Sequence, residues 1–346
     1  MDKKKKIKII SVSLIAFLLL IGIYFYSKIF SDNTNFTEKE FYVKIPSNSN
    51  YEDVKKIILP LVNNINDFEF VANKRSYPEN VKSGRFLFTK GMSSFAIVTT
   101  LRRNVPVKLA FNNQERLEDF AGRVSSQIEA DSLSLLKIFR DSSFLKANNF
   151  TSENVFAMFL PNTYEMYWNT SAERFRDKMI KEYNKFWTKE RIAQAQVNNL
   201  TPVQATILAS IVHKESVKKD ERPRIARVYL NRLKIGMPLQ ADPTVIYAVK
   251  KESGDFKRII KRVLSGDLKL ASPYNTYINL GLPPAPIAMP DITALEAVLK
   301  PENNDYLFFC ASVERFGYHE FAKTFQEHTV IANKYRDWIN SKGVNR

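Results

Sequence analysis

The sequence predicts an α+β protein in three parts: an N-terminal transmembrane helix, a small α+β module, and a larger mixed α+β domain. Three observations carry this prediction. Ile9 to Tyr26 is a run of eighteen residues without a charge. Residues 41–101 alternate strand-like and helix-like patterns. The full 346 residues exceed what one compact domain usually needs. Hydrophobic residues at 45% and charged residues at 25% exclude a mainly disordered chain. The one cysteine, Cys310, excludes an internal disulfide framework and a multi-cysteine zinc site. With His213, His319 and His328 as the three histidines, a histidine-rich metal centre is not expected either. Neither metal nor cofactor is implied, and any chemistry is expected to rest on carboxylates.

The apolar run reads IISVSLIAFLLLIGIYFY. As a helix it is ~27 Å long, close to the hydrocarbon thickness of a bilayer. The core helix of a soluble domain would show a polar face, and this run has none. A cleaved signal peptide is the competing reading. Its apolar core usually runs ~7–15 residues and ends in small residues, whereas this run ends in Tyr24, Phe25 and Tyr26, which suit an interface. Five lysines precede the helix and Lys28 follows it, so the N-terminus is expected in the cytoplasm and the remainder outside it. The formal net charge is +16; six lysines and Asp2 account for +5 within the first 28 residues, leaving +11 for the rest. A basic body suits an anionic partner such as nucleic acid, a lipid surface or an acidic polymer. An exported body speaks against nucleic acid. A lone cysteine suits an oxidising compartment, which penalises spare thiols.

Residues 32–40 are polar and read as a short linker. Phe41 to Pro46 alternates as a strand does, and Tyr51 to Val62 places Val54, Ile57, Ile58, Leu61 and Val62 at helical spacing. Gly84 to Thr89 predicts a second strand, and Ser93 to Leu101 another helix. These make a small α+β module, either a spacer or a polysaccharide-binding unit. Val105 to Phe111 predicts a further strand, and residues 114–200 are mostly helical. Within them, Leu160-Pro161-Asn162-Thr163-Tyr164-Glu165 predicts a fixed loop or strand end, where Glu165 is either a second carboxylate or a solvated one.

Thr201-Pro202-Val203-Gln204 is a capping box with proline at the first helical position. At about 100° per residue, Ile211, Val212 and Glu215 all fall within about 60° of Leu208, so Glu215 lies on the apolar face. His213 and Lys214 point elsewhere. A carboxylate on such a face either finds a partner or has its pKa raised, and a glutamate raised to roughly 6 suits a glycosidic general acid. Alternatively the helix ends there and Glu215 emerges into solvent. The spacing His213-Lys214-Glu215 is not a zinc motif. Asp220-Glu221-Arg222-Pro223 opens another helix that stops at Gly236. Met237 to Tyr247 reads as a shaped loop, as do Ser272 to Tyr277 and Gly281 to Ile287. Aromatic rings, amides and hydroxyls on rigid loops suit a sugar site.

These segments resemble the endolytic murein transglycosylases of the YceG-like (MltG) type. The resemblance rests on ASIVHKES at 209–216, RVYLNRL at 227–233, GMPLQADPTVIYA at 236–248, SPYNTYINLGLPPAPI at 272–287, and GYHEF and QEHT near the C-terminus. It covers most of the chain beyond the anchor and is weakest over residues 32–110, where the family carries a LysM-like module. It implies three regions: 1–30 as cytoplasmic lysines and anchor, 31–110 as the LysM-like module, and 111–346 as the catalytic domain. It also implies a single-pass protein of the bacterial inner (plasma) membrane, with its C-terminal domain periplasmic. The implied partners are peptidoglycan glycan strands, the membrane and cell-wall synthases, and not nucleic acid.

The family glutamate falls on Glu215, followed by Ser216; a second family glutamate two positions earlier is His213 here. The resemblance implies that Glu215 alone serves as acid and then base, leaving a 1,6-anhydro end with no water, metal or cofactor. With the loop chemistry it also points to Ser216, Gln240, Asp242, Tyr247, Asn275 and Tyr277 as substrate-binding residues. A muramidase-type hydrolase is the nearest alternative, with Asp242 or Glu165 as the second carboxylate. A membrane-anchored wall-binding scaffold is the other.

Overall fold

The computed structural model describes residues 3–341; Met1, Asp2 and residues 342–346, which the outermost regions above include, lie outside the described residues. The chain divides into two compact units. The first runs to Leu109 and takes in residues 127–129 and 165–170, and the second holds the remainder.

The first unit begins with α1 (Lys3–Phe30), a helix long and apolar enough to cross a membrane, with mean hydropathy 2.5 over its best window. Then follow β1 (Glu40–Ile45), α2 (Tyr51–Ile58), α3 (Ile65–Lys74), β2 (Gly84–Thr89) and α4 (Ser94–Thr100). The strands β1 and β2 pair antiparallel, Glu40 opposite Thr89 through Ile45 opposite Gly84. Period-two alternation puts Val43, Ile45, Phe86 and Phe88 inward, where they join Val54, Ile58, Phe68 and Ile97 in one core. The helix expected over 51–62 stops at Ile58. Pro60 has no N–H to donate and would clash with a carbonyl one turn back, so Leu59–Leu61 tightens into a 3-10 turn instead. Helix α3 was not anticipated from its polar composition. Asn64 caps it by accepting from the Asn66 N–H at 3.0 Å, and Phe68, Val71 and Ala72 bury its inner face.

Residues 32–40 are not a free linker. Asn33 is 4% exposed; its side chain donates to Ser94 Oγ and to the Asn64 carbonyl, both at 2.9 Å, and accepts from the Asn64 N–H at 2.7 Å. Asp32 bridges to Ser93 and Thr34 to Val62 as isolated β-bridges. The polar side chains that resemble a solvated tether satisfy buried backbone groups instead.

β3 (Pro106–Phe111) pairs with β4 (Asn162–Tyr167), Pro161 standing just before the latter. The second unit is mostly helical: α5 (Leu117–Ser125), α6 (Ser132–Phe139), α7 (Ser142–Ala147), α8 (Ala172–Phe186) and α9 (Lys189–Val197) lead to α10 (Pro202–Glu215). Its aromatic core stacks Phe120, Phe139, Phe159 and Phe175, with Phe120 and Phe159 centroids 4.4 Å apart. Beyond α10 come α11 (Arg222–Lys234), α12 (Asp242–Ser253), α13 (Ile292–Leu299), a hairpin of β5 (Phe308–Ala311) with β6 (His319–Ala322), and α14 (Phe325–Ser341). Asp242 to Tyr247, expected in a loop, instead forms the first turns of α12. Pro243 fits a helix start, where its missing N–H is no loss, and Val245 and Ala248 give the helix a buried face.

Candidate active site

Helix α10 is the centre of the second unit. Both halves of its capping box are made: Thr201 Oγ1 accepts from the Gln204 N–H at 3.2 Å, and Gln204 Oε1 accepts from the Thr201 N–H at 2.9 Å. Every residue from Ala205 to Val212 is buried, because α9, α11, α12 and α13 all pack on it. Glu215 is its last residue, and Ser216 leaves in extended conformation. The two sequence alternatives are thus partly combined: the helix does end at Glu215, yet the side chain lines an open cavity instead of emerging into free solvent.

That cavity is about 290 Å³. Glu215, Tyr229 and Arg232, Gln240, Asp242, Tyr277 and His319 supply its polar groups, and Leu239 and Phe309 its apolar wall. Tyr229 donates its hydroxyl to Glu215 Oε2 at 3.1 Å. Enclosure by protein raises the Glu215 pKa to about 7; His319 and the Tyr229 hydroxyl pull it down, Asp242 pushes it up, and Arg232 lowers it. The balance leaves an acid that holds its proton near neutrality and releases it readily.

Each wall has a local cause. Tyr229 and Arg232 lie three residues apart on α11 and so share a face. Arg232 is 7% exposed, and donates to the carbonyls of Leu307 at 2.6 Å and Leu239 at 2.7 Å, tying α11 to the hairpin and to the loop before α12. Gln240 sits at φ 48°, a left-handed conformation that costs a non-glycine residue about 1 kcal/mol. Its N–H donates to the Thr276 carbonyl at 3.1 Å, and Ala241 N–H to Thr276 Oγ1 at 3.1 Å. Among the described residues its side-chain amide has no protein partner, so it is free to meet a ligand. Tyr277 donates to Asp242 Oδ1 at 2.6 Å. His319 is held from behind by Glu221, itself 4% exposed, which accepts from the His319 N–H at 2.7 Å and sits 2.8 Å from Nδ1. That contact holds the ring by its Nδ1 side in the cavity wall.

Of the residues expected from sequence, Glu215, Gln240, Asp242 and Tyr277 come together. Ser216, Tyr247 and Asn275 do not. Ser216 is buried and its hydroxyl donates to Glu221 at 3.3 Å, which makes it a brace for the group behind His319. Tyr247 packs on Tyr274 at 4.8 Å and Phe256 at 5.6 Å, one turn along α12 from the cavity. Asn275 is fully buried and donates to the carbonyls of Leu268 and Leu270 at 3.0 and 2.9 Å, holding its loop in shape. Glu165 lies on β4 in the first unit and does not line the cavity. His213, in place of a second glutamate, contacts Asp291 at 3.3 Å beside Arg222. Tyr229, Arg232 and His319 were not singled out as site residues, although the i, i+3 spacing in RVYLNRL was a usable signal for the first two. A larger groove of about 1120 Å³, lined by Asn148, Asn184, Asn198 and Asn231, has no carboxylate in its lining. Among the described residues, no three His, Cys, Asp or Glu side chains converge as metal ligands.

The family model described as YceG-like matches residues 43–334. The chain belongs to the YceG-like family. This YceG-like chain is 28% identical over 320 residues to the endolytic murein transglycosylase of Bacillus subtilis (strain 168), covering 87% of this chain and 86% of that one. It is 31% identical over 182 residues to the endolytic murein transglycosylase of Streptococcus pneumoniae serotype 2, spanning 53% of this chain and 32% of that relative. The crystal structure of a YceG-like protein from Listeria monocytogenes superposes with a TM-score of 0.55 at 28% identity, covering 85% of this chain and 99% of that one.

The Tyr229–Glu215 hydrogen bond makes a direct prediction. Because the hydroxyl lowers the Glu215 pKa, Tyr229→Phe raises it. The limb of the activity profile that falls as pH rises through about 7 is expected to move to higher pH. A pH–rate series on the two proteins checks this, and an unmoved limb would contradict the assigned contact.

Proposed function

We propose that this chain is an endolytic murein transglycosylase that cuts the β-1,4 bond between N-acetylmuramic acid and N-acetylglucosamine without water. The observation that carries the reading is Glu215, half-buried at the end of α10 with a pKa of about 7, in a cavity built of amide, hydroxyl, aromatic and imidazole groups. The names of the Bacillus and Streptococcus relatives support the substrate and the reaction class. Protonated Glu215 donates to the glycosidic oxygen, the bond to the muramyl C1 breaks, and positive charge develops at that carbon. The new carboxylate is stabilised by His319, Arg232 and the Tyr229 hydroxyl, each of which favours its charged form. It then takes the proton of the muramyl C6 hydroxyl, whose oxygen bonds to C1 and closes the 1,6-anhydro ring. Glu215 ends protonated, as it began.

A second reading has one observation in its favour: Asp242 lines the same cavity and could serve a water. The two differ in product. Mass spectrometry of peptidoglycan treated with the full chain in detergent is expected to show anhydro-muramyl ends, absent with Glu215→Gln. Reducing ends would establish hydrolysis and point to Asp242. No cleavage by the folded wild type would favour a scaffold.

The remaining parts of the reading concern placement. Helix α1 fits a single-pass anchor. The lysine bias supports an N-terminus in the cytoplasm and the rest on the periplasmic side of the bacterial inner membrane, and the murein reading implies cell-wall synthases as partners. Regions 1–30, 31–110 and 111–346 are then anchor, LysM-like module and catalytic domain; the order β1-α2-α3-β2 supports the LysM-like reading.

A further inference from the structure

A second pocket, about 300 Å³, adjoins the same two helices that carry Glu215 and Asp242. Lys214, the neighbour of Glu215, enters it from α10, and Ile246 and Lys250 enter it from α12. The segment 257–260 closes it, and Ile287 completes an apolar wall with Ile246 and Ile260. At ~1.5 Å per residue, Ile246 and Lys250 stand ~6 and ~12 Å along α12 from Asp242 in the catalytic cavity.

The charges of this pocket do not balance. Glu115 is the one acid in the lining, and it takes Lys214 at 2.6 Å and Lys250 at 2.8 Å. Although burial opposes it, those two ammonium groups hold the Glu115 carboxyl below its usual range. Lys257 and Arg258 are left over. Their hydrogen bonds run from backbone N–H groups to Asp255 Oδ1, at 3.0 and 3.1 Å; among the described residues neither side chain has an acidic partner. Four cations thus face one carboxylate, beside a wall of isoleucines. Such a set of groups suits an anionic ligand borne on a partly apolar chain.

We infer that this pocket takes a carboxylate of the short peptide carried by the glycan strand that lies in the Glu215 cavity. This rests on the murein reading above and names the part of the substrate that the sugar cavity does not touch. Two or three extended residues span about 7–10 Å, enough to pass from a sugar beside Asp242 to the level of Ile246 at the pocket wall. Arg258 offers a planar fork to a carboxylate and Lys257 a point charge, and both are paid for in the substrate by a group already present. Part of the chain's +16 net charge thereby acquires a specific use.

Binding tests the inference without catalysis. The full chain carrying Glu215→Gln, in detergent, is titrated with peptidoglycan strands that keep their peptides and with the same strands stripped by an amidase. Peptide-bearing strands are expected to bind about tenfold tighter, with an advantage that shrinks as salt rises. Adding Lys257→Ala and Arg258→Ala is expected to remove the advantage and leave stripped-strand binding unchanged. Both side chains are exposed and unpartnered, so folding is not at stake. Equal binding of the two strand types, or an advantage that survives both substitutions, overturns the peptide assignment while leaving the glycan reading intact. Binding of neither strand type by the folded protein overturns the murein reading itself.

Discussion

Replacing Glu215 by glutamine is expected to lower the cleavage rate by about 10³–10⁴-fold, because the amide can neither donate nor accept the proton that the proposed mechanism moves. The same change is expected to stabilise the fold above neutral pH. The folded-state pKa of about 7 lies above the ordinary 4.5, so the unfolded chain loses this proton first as pH rises. Below about pH 4.5 the group costs nothing; from there to about 7 stability is progressively lost, and above 7 the full cost applies. Discounted for partial exposure, the cost is on the order of 1–2 kcal/mol at pH 8. Melting curves at pH 5 and pH 8 check it. The gap between the two proteins should open only at the higher pH, and a glutamine variant less stable than wild type at pH 8 would contradict the enclosed acid.

The second large effect belongs to Arg222, which is 3% exposed and does not line the Glu215 cavity. Its Nη1 donates to both oxygens of Asp291 at 2.7 and 2.8 Å and to Thr293 Oγ1 at 2.6 Å, while Nε donates to the Ser216 carbonyl at 3.0 Å. One guanidinium thus joins the end of α10 to the start of α13, where Asp291 is the cap. Arg222→Ala is expected to cost about 3 kcal/mol, at the lower end for a broken buried pair because Asp291 keeps 29% side-chain exposure. Although burial works the other way, hydrogen bonds from His213, Arg222 and Thr293 hold the Asp291 carboxyl well below its usual range. Its contribution is therefore present above the ordinary pKa of 3.8 and lost as pH falls below it. Denaturant titrations at pH 7 and pH 3 should show the variant's deficit shrinking at the lower pH. A deficit unchanged with pH would remove Asp291 from the explanation.

Local signals carried much of this fold. Thr201, Pro202 and Gln204 marked the start of α10, and alternation marked β1 and β2, because caps and strand faces are decided within a few residues. Pro243 misled in the opposite direction: punctuation that reads as a loop also suits the first turn of a helix, and the burial of Val245 and Ala248 decides between them. The site was legible where one helix face selected it, as with Glu215, and in part where a loop carried polar side chains, as with Gln240, Asp242 and Tyr277. Asn275 shares that chemistry and is consumed by the protein's own carbonyls, while Tyr247 packs on neighbouring rings and lines the second pocket. His319 lies more than a hundred residues beyond Glu215 in sequence, and only the hairpin and Glu221 bring it to the cavity. No periodicity reports such a meeting.

The seam after α1 has a mechanical meaning. Phe25 stacks on Phe70 at 5.7 Å, Phe30 meets Phe95 at 5.5 Å, Lys28 reaches Asp67 at 3.7 Å, and Asn33 is locked within a few residues of the helix end. A helix whose last turn is bolted into a folded body acts as a mast, with no slack for that body to swing on. The first unit must then ride at a constant height above any bilayer the helix crosses, turning with the helix as a single piece.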